Sequence, residues 1–179
     1  MPYMLEDKFR GMPKTSRMIS KLLSNKNLIS LLFVFLIFIT DRISKIYVIF
    51  LNEKYLKTEL YSSEFLNIVL IWNKGIAFGL LSFEKNNIYW AITLLIAFIT
   101  LILFILIFRT TKLKKYSYIM VTGGALGNLY DRIIYNSVPD FIDFHFNEIH
   151  WFIFNFADIF ITIGVICLIY DEIFLEKKI

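Results

Sequence analysis

The sequence is poor in the residues that cross-link small domains or bind transition metals. It has one cysteine, two histidines, three prolines and seven glycines among 179 residues. The single Cys167 can form neither an internal disulfide nor a thiolate cluster, and its simplest interpretation is a small buried apolar residue. Few prolines and glycines, and no low-complexity linker, favour one compact domain.

Apolar residues, in contrast, are abundant. They make up 58% of the chain, and the mean hydropathy is +0.63, whereas a soluble domain is about 45–50% apolar. We therefore predict a mainly α membrane protein, a bundle of four transmembrane helices. The four apolar segments, each near the roughly 20 residues that a spanning helix needs, cover 28–51, 88–108, 116–135 and 152–175.

The basic residues lie on one side of this four-span arrangement. Twelve of the 19 Lys and Arg precede the first span, separate the second from the third, or follow the fourth. By the positive-inside rule both termini are cytoplasmic. The loops 52–87 and 136–151 then lie outside, and Asp140 lies with them.

Two flanking segments and one internal loop complete the predicted organisation. Residues 1–27 form a basic cytoplasmic segment, and residues 176–179 form a cytoplasmic tail. Within the four-span domain 28–175, the loop 52–87 contains the β-branched and aromatic run 65–72, which predicts a strand. We expect a small extracytoplasmic β element there, with its aromatic residues at the membrane interface.

Ionisable residues inside the predicted spans need an explanation, because each costs about 2.5–3.5 kcal/mol at the bilayer centre. Asp41 and Lys45 are four residues apart on one helix face and can pair with each other. Asp131 and Arg132 are expected to satisfy each other or neighbouring backbone, as a polar clamp between helices. Asp158 falls about six residues into the fourth span, roughly 9 Å deep.

Gly123 and Gly127 form a small-xxx-small pair on the third span. Such pairs let two membrane helices approach closely. The pattern is common in membrane helices, so alone it predicts packing rather than a site.

Two carboxylates can meet near the outer face. Asp140 lies just beyond the third span, and a short loop connects it to the span that holds Asp158. Two adjacent carboxylates share a proton, so one can accept a proton from water while the other polarises a carbonyl. This is the chemistry of aspartic proteases, but a proton relay or a structural hydrogen-bonded acid remains open from these residues alone.

A metal site is a weaker possibility. His145, Glu148 and His150 are close in sequence, but their spacing matches no metalloprotease helix, and the sequence shows no further ligand beside them. We therefore predict no metal and no cofactor.

Five phrases in order resemble the lipoprotein signal peptidases, the signal peptidase II family. Together they cover roughly 28–174, and as a set they are far more specific than any one alone. The phrases are Asp41-Arg42-Ile43-Ser44-Lys45, Asn73-Lys74-Gly75-Ile76-Ala77-Phe78-Gly79, Gly123-Gly124-Ala125-Leu126-Gly127-Asn128-Leu129-Tyr130-Asp131-Arg132, Val138-Pro139-Asp140-Phe141-Ile142-Asp143 and Phe154-Asn155-Phe156-Ala157-Asp158.

The resemblance implies an aspartic endopeptidase of the bacterial inner membrane. It implies diacylglyceryl-modified prolipoproteins as substrates, cut before the lipidated cysteine, with membrane lipids as surroundings and no nucleic acid as partner. By motif matching Asp140 and Asp158 take the catalytic positions, which decides between Asp140 and the nearby Asp143. The positions expected to bind substrate or support this pair are Asp41, Lys45, Asn73, Gly75, Asn128, Arg132, Asn155 and Ala157, with Asp131 as a structural polar partner.

Ile76 departs from the family, which often has alanine there, and a bulkier side chain could reshape the substrate groove. From another functional class, the alternative is a small proton-coupled transporter whose relay uses Asp41, Lys45, Asp131 and Asp158. A relay would need polar residues across the whole membrane, whereas Asp140 and Asp158 are expected near one face.

Overall fold

The computed structural model describes residues 24–75, 86–147 and 149–175. The predicted basic segment before residue 24, the tail 176–179, Ile76 and Glu148 lie outside these residues. In chain order the elements are α1 (Asn25–Tyr55), β1 (Glu59–Ser62), β2 (Leu66–Asn73), α2 (Asn86–Ile107), α3 (Lys112–Tyr135), β3 (Val138–Phe146), β4 (Ile149–Phe154), α4 (Phe156–Tyr170) and a π-helical turn (Asp171–Leu175). The fold is thus mainly α with a small antiparallel sheet.

Helix α1 buries one stripe of its surface. Its 31 residues correspond to about 46 Å at 1.5 Å per residue. The buried positions recur at helical spacing, and three of them, in the middle of the helix, are charged. They are Asn27, Ser30, Val34, Ile37, Asp41, Arg42, Lys45 and Val48.

The outer faces of the helices are apolar, the reverse of a soluble protein. Phe35 and Ile43 of α1, Leu94 and Phe98 of α2, and Ile166 of α4 are all more than half exposed. Exposed apolar surface on this scale marks contact with lipid or a partner. Among the described residues one helix, Asn87–Ile107, qualifies as a span by its own length and composition, so the count of four spans stays a prediction.

The sheet is larger than expected. Its four strands are antiparallel in the order β1-β2-β3-β4, so the loop predicted at 52–87 supplies only half of it. The segment 136–151, expected to be a plain loop, contains β3 and the start of β4 instead. Strand β4 also uses the first residues of the fourth apolar segment, and α4 therefore begins at Phe156 rather than near residue 152.

An apolar cluster fixes the sheet on the ends of the helices. Val48 of α1 packs with Leu70 of β2 and with Phe141 and Ile142 of β3. Each of these side chains is at most 8% exposed, and burying one fully is worth about 1.5–3 kcal/mol. The cluster holds β3, and with it Asp140, against the bundle.

The glycines of α3 allow close helix contacts, as the small-xxx-small pattern predicts. A Cβ at Gly123 would lie 2.8 Å from Cβ of Ile37, and one at Gly127 would overlap the carboxylate of Asp41. Gly124 meets α4 in the same way, with a Cβ 2.5 Å from the carbonyl oxygen of Ala157. Helix α3 is therefore the central helix, packed against both α1 and α4.

Candidate active site

Asp140 is a buried carboxylate on β3, 3% exposed. Its Oδ1 accepts a hydrogen bond from Asn155 Nδ2 at 2.6 Å, and its Oδ2 accepts one from Asn73 Nδ2 at 2.8 Å. Strand pairing places these groups, because Asp140 lies opposite Ile71 of β2, two residues before Asn73. Both oxygens thus have a fixed amide donor.

Asp158 lies in the first turn of α4, not in the middle of a helix. Its Oδ1 accepts a hydrogen bond from Asn128 Nδ2 at 2.8 Å, and its Oδ2 accepts one from the backbone N–H of Asn155 at 3.2 Å. Unpaired N–H groups at a helix N-terminus attract negative charge. Asp158 is the third residue of α4 and not about six residues into a helix as predicted, since β4 replaces the first turn of the expected span.

Asn155 connects the two acids. It is the N-cap of α4, and its Oδ1 accepts a hydrogen bond from the backbone N–H of Asp158 at 3.1 Å while Asp158 bonds back to it. This reciprocal arrangement is a capping box. Because the same side chain donates to Asp140, the geometry of α4's first turn and the position of Asp140 depend on each other.

Burial in first place, and the charge of Asp158 in second, raise the pKa of Asp140 from an ordinary value of 3.8 to about 7. The amide donors Asn73 and Asn155 oppose this shift without cancelling it. Asp140 therefore holds a proton over much of the neutral range, as the acid of a shared-proton pair must.

Lys45 sets the orientation of Asn128. Its Nζ donates to Asn128 Oδ1 at 2.8 Å, and an ammonium group can only donate. The amide oxygen of Asn128 must therefore face Lys45, which turns the amide nitrogen towards Asp158. A buried cation on α1 thus positions a hydrogen-bond donor for an acid on α4.

A compact charge network lies beneath the acids. Lys45 Nζ is 3.0 Å from Asp41 Oδ1 and 2.7 Å from Asp131 Oδ2, and Arg42 Nη2 is 2.8 Å from Asp41 Oδ2 and 2.7 Å from Asp131 Oδ2. Arg42 also pairs with Asp131 through Nη1. Two cations balance two anions, which is what buried charges require.

Asp41 also joins α1 to α4. Its Oδ1 accepts the backbone N–H of Ala157 at 3.0 Å, one of the N–H groups that a helix start leaves unpaired. Ala157 is fully buried. The predicted Asp41–Lys45 pair is therefore part of the support for the helix that carries Asp158.

Arg132 does not pair with Asp131, the partner expected from the sequence. Asp131 pairs with Arg42 and Lys45, whereas Arg132 Nη2 donates to the carbonyl of Gly75 at 2.5 Å and its guanidinium lies 5.5 Å from the ring of Tyr89. The N–H of Gly75 in turn donates to Asn73 Oδ1 at 2.7 Å. Arg132 thus fixes the chain at the end of β2, where Asn73 binds Asp140.

A cleft of about 240 Å³ opens beside the two acids. It lies between α2, α3 and α4, and its wall below the acids is mostly apolar. Ile99 and Leu103 contribute from α2, Val121 from α3 and Ile161 from α4. The cleft therefore combines a polar end, where Asp140 and Asp158 meet, with an apolar groove that suits a lipid-like or hydrophobic ligand.

Sequence reasoning gave no role to Arg42 or Tyr89. Arg42 adjoins Asp41, and a charge inside an apolar segment could have marked it as a residue with a buried partner. The sequence could not identify that partner, because Asp131 is 89 residues away. Tyr89, whose hydroxyl donates to the carbonyl of Arg132 at 3.2 Å, gave no signal, since aromatic residues are common at span ends. The supporting residues named from the sequence do lie around the two acids.

Comparison with known proteins shows the family of the chain. The signal peptidase (SPase) II family matches residues 33–174. The lipoprotein signal peptidase of Pelagibacter ubique (strain HTCC1062) is 47% identical over 150 residues, covering 84% of this chain and 90% of the relative. That of Anaplasma marginale (strain Florida) is 38% identical, covering 84% of this chain and 88% of the relative.

Solved structures show the same fold. A bacterial membrane enzyme determined by the in meso method at 1.9 Å resolution superposes with a TM-score of 0.62 at 30% identity, covering 82% of this chain and 93% of that one. A second such structure, at 2.3 Å resolution, gives a TM-score of 0.62 at 29% identity. Taken with the family match over most of the sequence, this shows that the chain is a membrane enzyme and belongs to the signal peptidase II family of proteases.

Proposed function

We propose that this protein removes signal peptides from diacylglyceryl-modified prolipoproteins, cutting before the lipidated cysteine, with Asp140 and Asp158 as the catalytic pair. The observation that carries the assignment is the convergence of these two acids on one cleft, each held by amide donors. The lipoprotein signal peptidases that the chain resembles support the substrate class.

The geometry suggests a role for each acid. Asp158 takes a proton from a water molecule, and the water oxygen attacks the scissile carbonyl carbon. Asp140, which holds a proton up to about pH 7, gives that proton to the carbonyl oxygen. When the tetrahedral intermediate collapses, the C–N bond breaks and the leaving nitrogen takes the proton from Asp158, while one hydroxyl of the intermediate returns its proton to Asp140 as the new carbonyl forms.

The apolar groove below the acids suits the substrate. The acyl chains of the lipidated cysteine, or the hydrophobic signal peptide, can lie along Ile99, Leu103 and Val121 while the scissile bond reaches the polar end of the cleft. Burying apolar surface there would hold the bond at a constant depth. No separate nucleophile is needed, because water is the attacking group.

The membrane arrangement follows from charge and surface. We infer a multi-pass protein of the bacterial inner membrane in which α1, α2, α3 and α4 span, both termini are cytoplasmic and the sheet lies outside. The basic residues Arg109 and Lys115 lie at the α2–α3 connection, on the opposite end of α3 from Asp131. Asp140 and Asp158 then lie near the outer face, where the substrate cysteine is anchored by its lipid.

The test replaces each acid singly in the full chain. Asp140→Asn and Asp158→Asn variants, purified in lipid, are given a diacylglyceryl-modified prolipoprotein, and release of the signal peptide is followed. Both should lose cleavage by at least about a thousandfold, since each acid is needed in the same step. Normal turnover by either variant contradicts the paired-acid mechanism.

Two matched variants separate chemistry from folding. Asp171→Asn removes another buried acid at the far end of α4, where Asp171 lies 3.7 Å from Lys114, and should leave cleavage measurable. Asp143→Asn should be milder than Asp140→Asn. The proton-coupled transporter is not favoured, because the charges of Asp41, Lys45 and Asp131 pair with one another instead of leading across the bundle.

A further inference from the structure

A second polar cluster lies on the sheet, apart from the residues assigned to cleavage. Asp143 and His145 of β3 and His150 of β4 each contribute a possible ligand atom, and these atoms all lie within 4.8 Å of one another. His150 Nδ1 is 2.8 Å from Asp143 Oδ2. The two imidazole rings are stacked, with centroids 5.0 Å apart.

Strand geometry explains why the three meet. Asp143 and His145 are two residues apart on β3, so their side chains share one face. His150 lies directly opposite His145 in the β3–β4 pairing, and the register of the two strands shifts between Asp143 and His145. By the same alternation Asp140, three residues before Asp143, points to the other face of the sheet.

Two polar atoms of the cluster have no hydrogen-bond partner among the described residues. Among the residues that the structure describes, Asp143 Oδ1 and His145 Nδ1 are buried without a hydrogen-bond partner. Asp143 is only 3% exposed, and a buried carboxylate oxygen without a partner is unfavourable. A cation bound by both atoms would satisfy them at once, and no hydrogen bond joins these two described atoms to each other.

We propose that Asp143, His145 and His150 form a binding site for a divalent transition metal of the Zn²⁺ type. Two imidazoles and one carboxylate are the ligand types that Zn²⁺ takes, at about 2.0–2.2 Å each. The cluster holds no cysteine, and its two nitrogens exclude a preference for Mg²⁺ or Ca²⁺.

The surroundings of the cluster suit this use. Asn67 Nδ2 on β2 donates to Asp143 Oδ2 at 3.3 Å, and such a donor orients a metal-binding carboxylate. His150 is exposed, which gives an entering ion a path and leaves room for water as a fourth ligand. We predicted no metal because the two histidines had no further ligand beside them in the sequence, and Asp143 is the residue that completes the set in the fold.

A metal here would act on the sheet and not on the scissile bond. It would cross-link β3 to β4, the hairpin that runs from Asp140 into Asn155, and so restrict the strand that carries one acid. The chemistry assigned to Asp140 and Asp158 uses no metal. We therefore expect chelation to lower the stability of the sheet while cleavage continues.

The test measures metal binding directly. Full-length protein without a polyhistidine tag is purified in detergent, stripped with a chelator and titrated with Zn²⁺ against a chromophoric competitor. Wild type should bind one ion per chain, and Zn²⁺ should raise its thermal midpoint. His150→Gln and Asp143→Asn should each weaken binding by about tenfold or more, the scale on which metal sites respond to lost partners.

Glu59→Gln is the matched control, because Glu59 is an exposed acid of β1 in the same sheet, and this variant should bind Zn²⁺ as wild type does. His150→Gln alters an exposed side chain, so loss of binding in that variant is not a folding defect. Absence of Zn²⁺ binding by wild type, or binding that His150→Gln and Asp143→Asn leave unchanged, overturns the proposal. Because binding is read without substrate, the result does not depend on the proposed cleavage.

Discussion

Asn155 Nδ2 donates a hydrogen bond to Asp140 Oδ1 at 2.6 Å. The same side chain caps the helix that begins with Asp158, so one residue positions both acids. Its neighbour Ala157 is held by Asp41 on α1. The relative placement of the two carboxylates is therefore set by an asparagine and a helix start.

Replacing Asn155 should separate positioning from stability. Asn155→Ala removes the cap, which costs about 1 kcal/mol, and also the donor to Asp140. We expect a lower kcat at similar KM, measured with a lipidated prolipoprotein. Asn155→Ser is the control, because serine keeps the cap but cannot reach Asp140, and it should recover thermal stability without recovering kcat. Full activity in the serine variant would contradict the positioning role.

Lys45→Met should destabilise the bundle strongly. The change leaves Asp41 and Asp131 sharing one cation, Arg42, and removing one member of a buried ion pair costs about 3–5 kcal/mol. It also releases the Asn128 amide, so residual activity should fall as well. The measurement is thermal unfolding in detergent, together with cleavage below the unfolding midpoint.

Lys54→Met provides the comparison for Lys45. Lys54 is an exposed lysine near the end of the same helix, and exposed pairs are worth about 0–1 kcal/mol. Equal stability losses in the two variants would show that the buried network does not support the fold in the way described.

Cleavage should decline as pH rises through about 7. Asp140 has its pKa raised to about 7, so its proton is present below that pH and lost above it, and kcat/KM should fall about tenfold per unit on the alkaline side. The stability of the folded state should depend on pH in the same direction. Protonated Asp140 stabilises the folded state fully below about pH 4, and this contribution to the free energy of unfolding is lost as pH rises through about 7. A pH profile of kcat/KM in lipid measures the first effect.

Asn73→Ala tests the cause of that profile. The amide of Asn73 lowers the pKa of Asp140, so removing it should move the alkaline decline to higher pH, even if the maximal rate falls. A decline that moves to lower pH, or does not move, would show that another group controls the profile.

Gly127→Ala should destabilise the protein despite the usual preference of helices for alanine. In an open helix position this change gains about 1 kcal/mol, but here the added Cβ would overlap the Asp41 carboxylate. The shift in thermal midpoint gives the sign directly. A stabilised Gly127→Ala variant would mean that α1 and α3 are not in close contact at this point.

The amino-acid sequence by itself determined the helical segments and the residue types of the site. The four apolar segments lie within or across α1 to α4 because apolar runs are a local property, readable from period and length. The pair Asp41 and Lys45 followed from helical spacing. The choice of Asp140 over Asp143 came from the family resemblance, since nothing local distinguishes two acids three residues apart.

Only the tertiary structure decided which groups meet. Strand pairing converted the segment 136–151 into sheet and shortened the fourth helix, which moved Asp158 to a helix start. Strand pairing also brought Asp143 close to His145 and His150. Packing of the helices paired Asp131 with Arg42 and Lys45 on α1 instead of with Arg132. Each of these contacts joins elements that are distant in sequence or depends on strand register, and long-range pairing is set by the packing of whole elements rather than by local periodicity.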